Sequence, residues 1–412
     1  MKDQKIVDHL FRHHYGKMVA ILTRFFGLAH IETIEDAVQD TFIKATLQWR
    51  KQLPDNPEAW LTRVAKNRTI DLLRSIKAEK KRIEKISNGP SSIPLNELFL
   101  DHEIADSQLR MIFVACHPSL KPQEQIAFAL KTISGFSTPE IAAALLTKEE
   151  TISKRLQRAR KTIVKNEIEF DFPSPANLQN RLNRVMEVVY LTFNEGFHST
   201  NTDTLIREDL CGEAIRLCKL LIRKEEFRSG SLYALFALLC FHAARLKSKT
   251  NQDNEIVDIR EQDRSQWHLP LIEIANRAMY KAGTYEDISI YHYEAAIACE
   301  HIKAKTFEET NWTNILKWYS KLYERQPTPF TLLNIAIVYL QMNELPAAKS
   351  LLEELESAHL GQRQYLYFGS LAEYHLKFDD RTMAKTYFEQ AIATTSNGLE
   401  KRYLEKKLMQ LS

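Results

Sequence analysis

Turn-forming residues and paired cysteines are both scarce in this chain of 412 residues. It has only 11 glycines and 13 prolines, and no alternation of apolar and polar residues indicates strand hairpins. Its five cysteines form no C-x-x-C pair, so neither a zinc site nor a disulfide framework is indicated, and we expect buried free thiols. Stretches rich in Ala, Leu, Glu, Lys and Ile favour helices. The sequence therefore predicts an all-α protein.

Membrane segments and catalytic motifs are also missing from the sequence. No apolar segment approaches the roughly 18 uncharged residues that indicate a membrane-spanning helix. The N-terminal sequence MKDQKIVDHLF lacks the apolar core of a signal peptide. We find no Gly-rich phosphate loop, no paired catalytic carboxylates and no His/Cys metal spacing. We therefore expect a soluble, cytoplasmic protein that is no enzyme, with no catalytic residue, no metal, no cofactor and no membrane partner.

Two helices joined by a short turn are predicted in STPEIAAALLTKEETISKRLQRARKTIVK, which runs from Ser137 to Lys165. The first helix has Ser137 or Thr138 as N-cap and Pro139 in its first turn. The second helix begins near Glu149 and is predicted to bury Ile152, Leu156, Ala159 and Ile163, which leaves one outward face with a hydroxyl and three cations. These residues are Thr151, Lys154, Arg155 and Arg158. Such a helix-turn-helix suits the major groove of DNA, although a solvated basic helix has the same pattern.

An acidic face is predicted on an earlier helix, in the segment from Ile31 to Trp49. Its polar residues are Glu35, Asp36, Gln39 and Asp40, while Phe42 faces inward. Acids near a helix start interact favourably with the helix dipole, which is a purely structural explanation. On a domain that is otherwise basic, they equally suit docking to another protein.

A basic helix follows a turn at residues 54–57. Its outward residues mix cations with Asn and Asp beside a tryptophan. The outward residues are Arg63, Lys66, Asn67, Arg68, Asp71 and Arg74, and the tryptophan is Trp60, which is predicted to face inward. Such a set neutralises phosphates, hydrogen-bonds base edges or stacks an unpaired base, and the alternative is again a solvated helix.

Segments rich in Pro, Ser and Gly divide the chain into three predicted domains. Residues 86–102 read as a flexible linker, and a second break lies around residues 173–175. The predicted domains are residues 1–85, 103–170 and 177–412. The first 170 residues carry an excess of Lys and Arg, whereas the remainder is slightly acidic, which favours a nucleic-acid partner for the first part.

An internal repeat emerges near the C-terminus when the chain is aligned with itself at an offset of 36 residues. Apolar and small residues then coincide: Leu332 with Phe368, Ile335 with Leu371, Ala336 with Ala372, Ala348 with Ala384, Leu352 with Phe388 and Leu355 with Ala391. This degenerate pattern resembles the tetratricopeptide (TPR) repeat, so residues 177–412 are predicted to form a TPR-like helical solenoid. A polar segment, residues 251–267, interrupts it, and its scattered acids favour a surface loop or a salt-bridged helix start over a metal or ligand loop.

Several motifs together resemble a known family. EDAVQDTFIKA, then PEAWLTRVAKNRTIDLLR, a short linker and the helix-turn-helix resemble the extracytoplasmic-function (ECF) sigma factors of bacterial RNA polymerase, with region 2 followed by region 4. LTFNEGF, LIREDLCGEAIRLCKLL and EQDRSQW look like the extension of a subgroup with a long TPR-like C-terminal domain. The resemblance spans nearly the whole chain.

The resemblance implies a promoter-specificity subunit that binds the beta-prime and beta subunits of core polymerase, recognises promoter DNA and melts it. The core-binding residues would be Glu35, Asp36, Gln39, Asp40 and Phe42. The minus-ten residues would be Trp60, Arg63, Lys66, Asn67, Arg68, Asp71 and Arg74, with a pocket for an unstacked base near residues 54–60. The minus-35 residues would be Thr151, Lys154, Arg155 and Arg158. Residues 86–102 would cross the polymerase toward its RNA exit path.

The role of the extension is a hypothesis: it would regulate activity in cis, with a protein or peptide partner on the solenoid. The alternative interpretation of the chain is a helix-turn-helix transcriptional regulator with a ligand- or peptide-sensing repeat domain. Such a regulator would bind duplex DNA alone, as a symmetric dimer on a palindrome. It has no need for the second basic segment at residues 60–85, which argues against it.

Overall fold

The computed structural model describes residues 2–49, 52–83, 101–145, 147–197, 206–251, 253, 255–395 and 397–411. Every regular element within these ranges is a helix, apart from one isolated β-bridge between Thr250 and Ile256. The prediction of an all-α protein is therefore confirmed. The chain divides into two compact units, Met1–Leu191 and Thr192–Ser412.

The first unit contains the two segments that the sequence assigns to DNA binding. Its helices are α1 (Lys2–Phe26), α2 (Ile31–Gln48), α3 (Pro57–Ile83), α4 (Asp101–Ala115), α5 (Pro122–Thr132), α6 (Thr138–Ala144), α7 (Glu149–Lys165) and α8 (Pro175–Phe197), the last of which runs across the boundary of the unit. Gly27 follows α1 with a φ of +88°, a conformation that ends the helix and that glycine adopts without strain.

Helix α1 is the element around which the first unit packs. It contacts α2 and α3, which come next in the sequence, and also α4 and α5, which come after residue 100. At Gly16 the approach is so close that a Cβ would lie 1.8 Å from the carbonyl oxygen of Ile133. Only glycine fits at this position. The segments predicted as separate domains, residues 1–85 and 103–170, therefore share one core.

The predicted linkers have different outcomes. Most of the linker at residues 86–102 lies outside the described residues, but Asp101 and His102 already belong to α4. Around the second break, the ring of Phe172 meets that of Phe113 edge to face at 6.1 Å, and the guanidinium of Arg110 lies 4.4 Å from the centre of the Phe172 ring. This segment is packed against α4 rather than free.

The second unit is built from consecutive helices that pair with their neighbours. They are α9 (Glu208–Arg223), α10 (Gly230–Ala244), α11 (Leu269–Ala282), α12 (Ile290–Lys303), α13 (Trp312–Arg325), α14 (Pro329–Gln341), α15 (Leu345–Glu354), α16 (Gln364–Leu376), α17 (Arg381–Thr394) and α18 (Gly398–Met409). Helix α10 is apolar on nearly all sides and packs against α9, α11 and α12. Short turns join α14 to α15 and α16 to α17, so each pair is antiparallel.

The residues of the predicted 36-residue repeat occupy equivalent places in these two helix pairs. Four alanines are fully buried, namely Ala336, Ala348, Ala372 and Ala384. They let paired helices approach closely, and the larger Leu352 and Phe388 fill matching positions in the core. The arrangement is compatible with a TPR-like solenoid, which remains a prediction. All five cysteines are free thiols, four of them buried. None of the described helices is long and apolar enough to cross a membrane.

Candidate protein and nucleic-acid interfaces

The helix-turn-helix forms where the sequence predicts it. Ser137 caps α6: its hydroxyl accepts from the backbone N–H of Glu140 at 3.4 Å, and the Glu140 carboxylate accepts from the backbone N–H of Ser137 at 2.7 Å. Pro139 lies in the first turn. Helix α7 starts at Glu149 and buries the predicted set on its inner face. These residues are Ile152, Leu156, Ala159 and Ile163.

The opposite face of α7 carries the four predicted DNA-reading residues. Lys154 and Arg158 are exposed, and Thr151 and Arg155 are half-buried. The ammonium of Lys154 lies 2.6 Å from the carboxylate of Glu150, and Arg155 donates to the amide oxygen of Gln123 at 2.9 Å. Exposed pairs of this kind contribute at most about 1 kcal/mol, so a phosphate can replace either partner.

The predicted minus-ten residues lie along one face of α3. Arg63, Asn67, Asp71 and Arg74 are exposed, as is Arg68, whereas Trp60 and Lys66 are half-buried. The ring of Trp60 contacts that of Trp49 edge to face at 5.4 Å, so an aromatic pair stands at the start of this face. Arg68 donates to the carboxylate of Asp40 from Nε at 2.8 Å. One residue of the predicted minus-ten set is thereby joined to one of the predicted core-binding set.

The acidic helix α2 differs from the expectation at one position. Asp36 is exposed, and Gln39 and Asp40 are half-buried, as a polar face requires. Phe42 faces inward as predicted. Glu35, expected on the polar surface, is instead only 1% exposed. That expectation is wrong because Arg160 of α7 covers the carboxylate and hydrogen-bonds to it.

Electrostatics around Glu35 couple α2 to the helix-turn-helix. Burial raises the pKa of Glu35, and the cations Arg160 and Lys131 offset this only in part. Burial also raises the pKa of Tyr15, whose ring lies 5.9 Å from the Lys131 ammonium. The pKa of Asp36 is raised by burial and by the neighbouring acids Glu32 and Asp40. Arg160 of α7 thus covers Glu35, while Asp36 stays exposed.

Sequence reasoning missed Arg160, Lys131 and Tyr15. Arg160 falls outside the face that carries Arg158, and the helical pattern of α7 gives it no special role. A signal was available in Gly16 and Gly135, because a glycine inside a helix and one at a helix end often mark a close approach of two backbones. The Cβ of a residue at Gly135 would lie 3.0 Å from Tyr15.

The polar segment of the second unit, residues 251–267, is salt-bridged. The Asp258 carboxylate accepts from the Tyr403 hydroxyl at 2.7 Å, and Arg260 pairs with Glu373 at 3.0 Å. Lys407 pairs with Glu373 at 2.8 Å. Among the residues with described positions, no group of His, Cys, Asp and Glu side chains is arranged to hold a metal ion.

Comparison with family models divides the chain into three matched regions. Residues 10–79 match sigma-70 region 2, and residues 110–163 match sigma-70, region 4. Residues 181–283 match a family of unknown function, DUF6596. The first two matches contain all the residues of the predicted minus-ten and minus-35 sets, and the third begins within α8.

Individual relatives give the same assignment. An uncharacterized protein of Rhizobium meliloti is 31% identical over 407 residues, which cover 95% of this chain and 92% of the relative. The ECF RNA polymerase sigma factor SigE of Mycolicibacterium smegmatis is 29% identical over 156 residues, 38% of this chain and 59% of SigE. The RNA polymerase sigma factor YlaC of Bacillus subtilis is 27% identical over 172 residues, 40% of this chain and 94% of YlaC. No solved structure gave a significant match.

The helix-turn-helix, the basic helix α3 and the acidic helix α2 thus lie in the two regions that define sigma factors, and the full length is shared with the Rhizobium relative. The chain belongs to the extracytoplasmic-function sigma factors, in a group that carries a long helical C-terminal extension.

Proposed function

We propose that this sigma factor brings core RNA polymerase to its promoters through three surfaces of the first unit: α7 for the minus-35 element, α3 for the minus-ten element and α2 for the polymerase. The observation that carries the proposal is the order and chemistry of these helices. Two exposed cationic faces and one acidic face occur in one compact unit that matches sigma-70 regions 2 and 4.

The minus-35 contact is assigned to the outer face of α7. Its small hydroxyl residue Thr151 is near the helix N-terminus, where a side chain can approach a base edge in the major groove. Arg158 is exposed and long enough for a bidentate contact to guanine. Lys154 and Arg155 are suited to phosphates, because each already holds a polar neighbour that a phosphate oxygen can replace.

The minus-ten contact is assigned to α3. Arg63, Arg68 and Arg74 supply positive charge along the helix for the backbone of the non-template strand. Trp60 lies at the beginning of the same face, beside the turn at residues 54–57, and offers a ring for an unstacked base. Unstacking a base costs a few kcal/mol, which stacking and backbone contacts offset.

Core binding is assigned to α2, and it requires a rearrangement. Asp36, Gln39 and Asp40 are accessible, but Glu35 and Phe42 are buried. For all the predicted core-binding residues to reach the beta-prime subunit, α7 must move away from Glu35. We therefore propose that regions 2 and 4 separate when the polymerase binds. Separation also frees α3 and α7 to contact promoter elements that are about two to three helical turns of DNA apart.

The C-terminal extension is proposed to regulate this activity within the same chain. Its support is that the match to the Rhizobium relative runs through the extension as well as through the sigma regions. Paired helices with small residues at their contacts suit the presentation of a surface to a protein or peptide.

A reconstituted transcription assay tests the proposal. Core polymerase with this protein should give a discrete start on the promoter upstream of its own coding sequence, and neither component alone should. A doubly charge-reversed variant, Asp36→Lys with Asp40→Lys, should lose core binding while keeping its helical circular dichroism. The matched control reverses two exposed acids of the second unit, Glu344→Lys with Glu353→Lys, and should bind core normally. Tight, sequence-specific binding to duplex DNA without polymerase would instead favour the alternative regulator.

A further inference from the structure

A cavity of about 480 Å³ lies within the second unit. Side chains of α12, α13, α14, α16 and α18 line it, together with the polar segment at residues 251–267. Much of the wall is aromatic, from Phe307, Trp312, Tyr319, Tyr365 and Tyr403. The volume and lining are those of a site for a small molecule.

The acidic residues of the wall are already engaged with partners. Asp258 accepts from Tyr403, and Glu373 pairs with Arg260 and Lys407. Glu400 accepts from the Tyr365 hydroxyl at 2.6 Å. These contacts fix the wall and leave no carboxylate of the wall in an ion pair with Lys249, the remaining cation of the lining.

Lys249 is only 8% exposed. Its ammonium donates to the carbonyl oxygen of Phe197 at 2.5 Å and lies 3.5 Å from the centre of the Phe197 ring. An ammonium has three donors, so two remain for another acceptor. Burial and the neighbouring Arg245 lower the pKa of Lys249 to about 7, which shows how little compensating negative charge surrounds it.

Two arginines, Arg245 and Arg264, interact with residues of the cavity wall. Arg245 is half-buried, its Nη1 has no hydrogen-bond partner among the described residues, and it interacts electrostatically with Tyr319 and Asp258 of the wall. Arg264 donates from Nη1 to the carbonyl oxygens of His301 and Ala304, but its buried Nη2 has no partner within the described part of the chain. Of these three cations only Lys249 lines the cavity, and Arg245 adds positive charge next to it.

A purely structural role accounts for part of this arrangement. Lys249 interacts favourably with the carbonyl end of α8 through Phe197, as a cation does at a helix C-terminus. Arg264 has a similar role, since it donates to the carbonyl oxygens of His301 and Ala304 at the end of α12, and Arg245 is the C-cap residue of α10. These roles supply no counter-charge to Lys249, so an anion in the cavity would meet a buried cation that the fold already holds in place.

We propose that this cavity binds a small organic carboxylate, with Lys249 receiving the carboxylate and the aromatic wall receiving an apolar body. The proposal goes beyond the sigma-factor function and does not depend on it. Arg245 and Lys249 belong to the second unit, whereas the predicted DNA and polymerase contacts belong to the first.

Calorimetry with the full chain tests the proposal, using 2-naphthoate as the anionic probe and 2-naphthamide as its neutral isostere. Wild-type protein should bind the naphthoate at least about tenfold more tightly than the amide, a difference of about 1.4 kcal/mol. Lys249→Met and Lys249→Gln should each abolish this preference. Lys247→Met, which removes an exposed lysine two residues away, should retain it.

Three outcomes would overturn the proposal. They are equal affinities for the acid and the amide, no binding of naphthoate or octanoate at millimolar concentration, or an unchanged preference in both Lys249 variants. Lys249→Gln separates loss of the charge from loss of the contact to Phe197, because its amide can still donate to that carbonyl oxygen but carries no charge. Competition with inorganic phosphate distinguishes a carboxylate site from a general anion site. If phosphate displaces naphthoate more strongly than octanoate does, the proposal of an organic carboxylate ligand is wrong.

Discussion

Arg160 of α7 donates a hydrogen bond to the buried carboxylate of Glu35 on α2 and a second one, at 3.4 Å, to the exposed carboxylate of Glu32. One guanidinium thereby joins the helix proposed to read the minus-35 element to the helix proposed to dock on the polymerase. We expect this contact to couple the two proposed activities, because α2 cannot offer Glu35 to a partner while α7 covers it.

Breaking this pair should loosen the first unit and favour polymerase binding. Arg160→Met leaves Glu35 buried without its main counter-charge, which typically costs about 3 to 5 kcal/mol. Urea unfolding of the full chain should show this loss in the transition of the first unit, and core polymerase should bind the variant more tightly. The charge swap Arg160→Glu with Glu35→Arg should recover part of the stability. If the two single losses simply add in the swap, the contact is not the coupling element.

Arg158→Ala and Lys154→Ala should have different effects on promoter binding, because Lys154 pairs with Glu150, whereas no described acidic residue forms an ion pair with Arg158. Arg158→Ala should weaken holoenzyme binding by about 1 to 3 kcal/mol and relax the preference for one base of the minus-35 element. Lys154→Ala should weaken binding to all sequences alike. Lys165→Ala, at the exposed end of the same helix, is the control. Competition assays with permuted minus-35 elements measure both effects, and a uniform loss for Arg158→Ala would make it a phosphate contact.

The sequence predicts features that depend on neighbours along one helix. The buried set of α7 and the alanines of the 36-residue repeat are correct because periodicity reports directly which side of a helix is covered. The burial of Glu35 was not predictable in this way, since the residue that covers it lies 125 positions away. The cavity was not predictable either, because Lys249, Tyr319 and Tyr403 come from distant parts of the sequence and no local pattern relates them.

The position at which the first unit ends determines where the chain should be truncated to test the extension. The sequence places the start of the extension at residue 177, but the first unit continues to Leu191, and Arg181 of α8 donates to the carbonyl oxygen of Phe113. Val185 and Val189 of the same helix are buried. Deletion after residue 197 should therefore keep the stability of the first unit and report the regulatory effect alone. Deletion after residue 172 should also lower the melting temperature of that unit. Transcription by the longer truncation that equals the full chain would refute regulation by the extension.

The titration of Lys249 should make the free energy of unfolding depend on pH, and this effect can be measured without a ligand. Its pKa is lowered from the ordinary 10.5 to about 7, so the unfolded chain holds this proton more tightly than the native protein does. Below about pH 7 the lysine is charged in both states and its burial is fully unfavourable. As pH rises from there toward 10.5, only the native state releases the proton, and the native state is stabilised by up to about 1.4 kcal/mol per pH unit. Lys249→Met has no titratable group at this position, so it does not show this pH dependence.

The free energy of unfolding, measured by urea titration at several pH values in buffers without organic acids, should therefore favour Lys249→Met over wild type at pH 7. The advantage should shrink steadily toward pH 10. Other groups titrate equally in both proteins, so the difference between the two curves isolates Lys249. Lys247→Met controls for loss of a lysine at the surface. A difference that does not change with pH would mean that Lys249 is already compensated in the folded protein, which removes the electrostatic reason for an anion beside it.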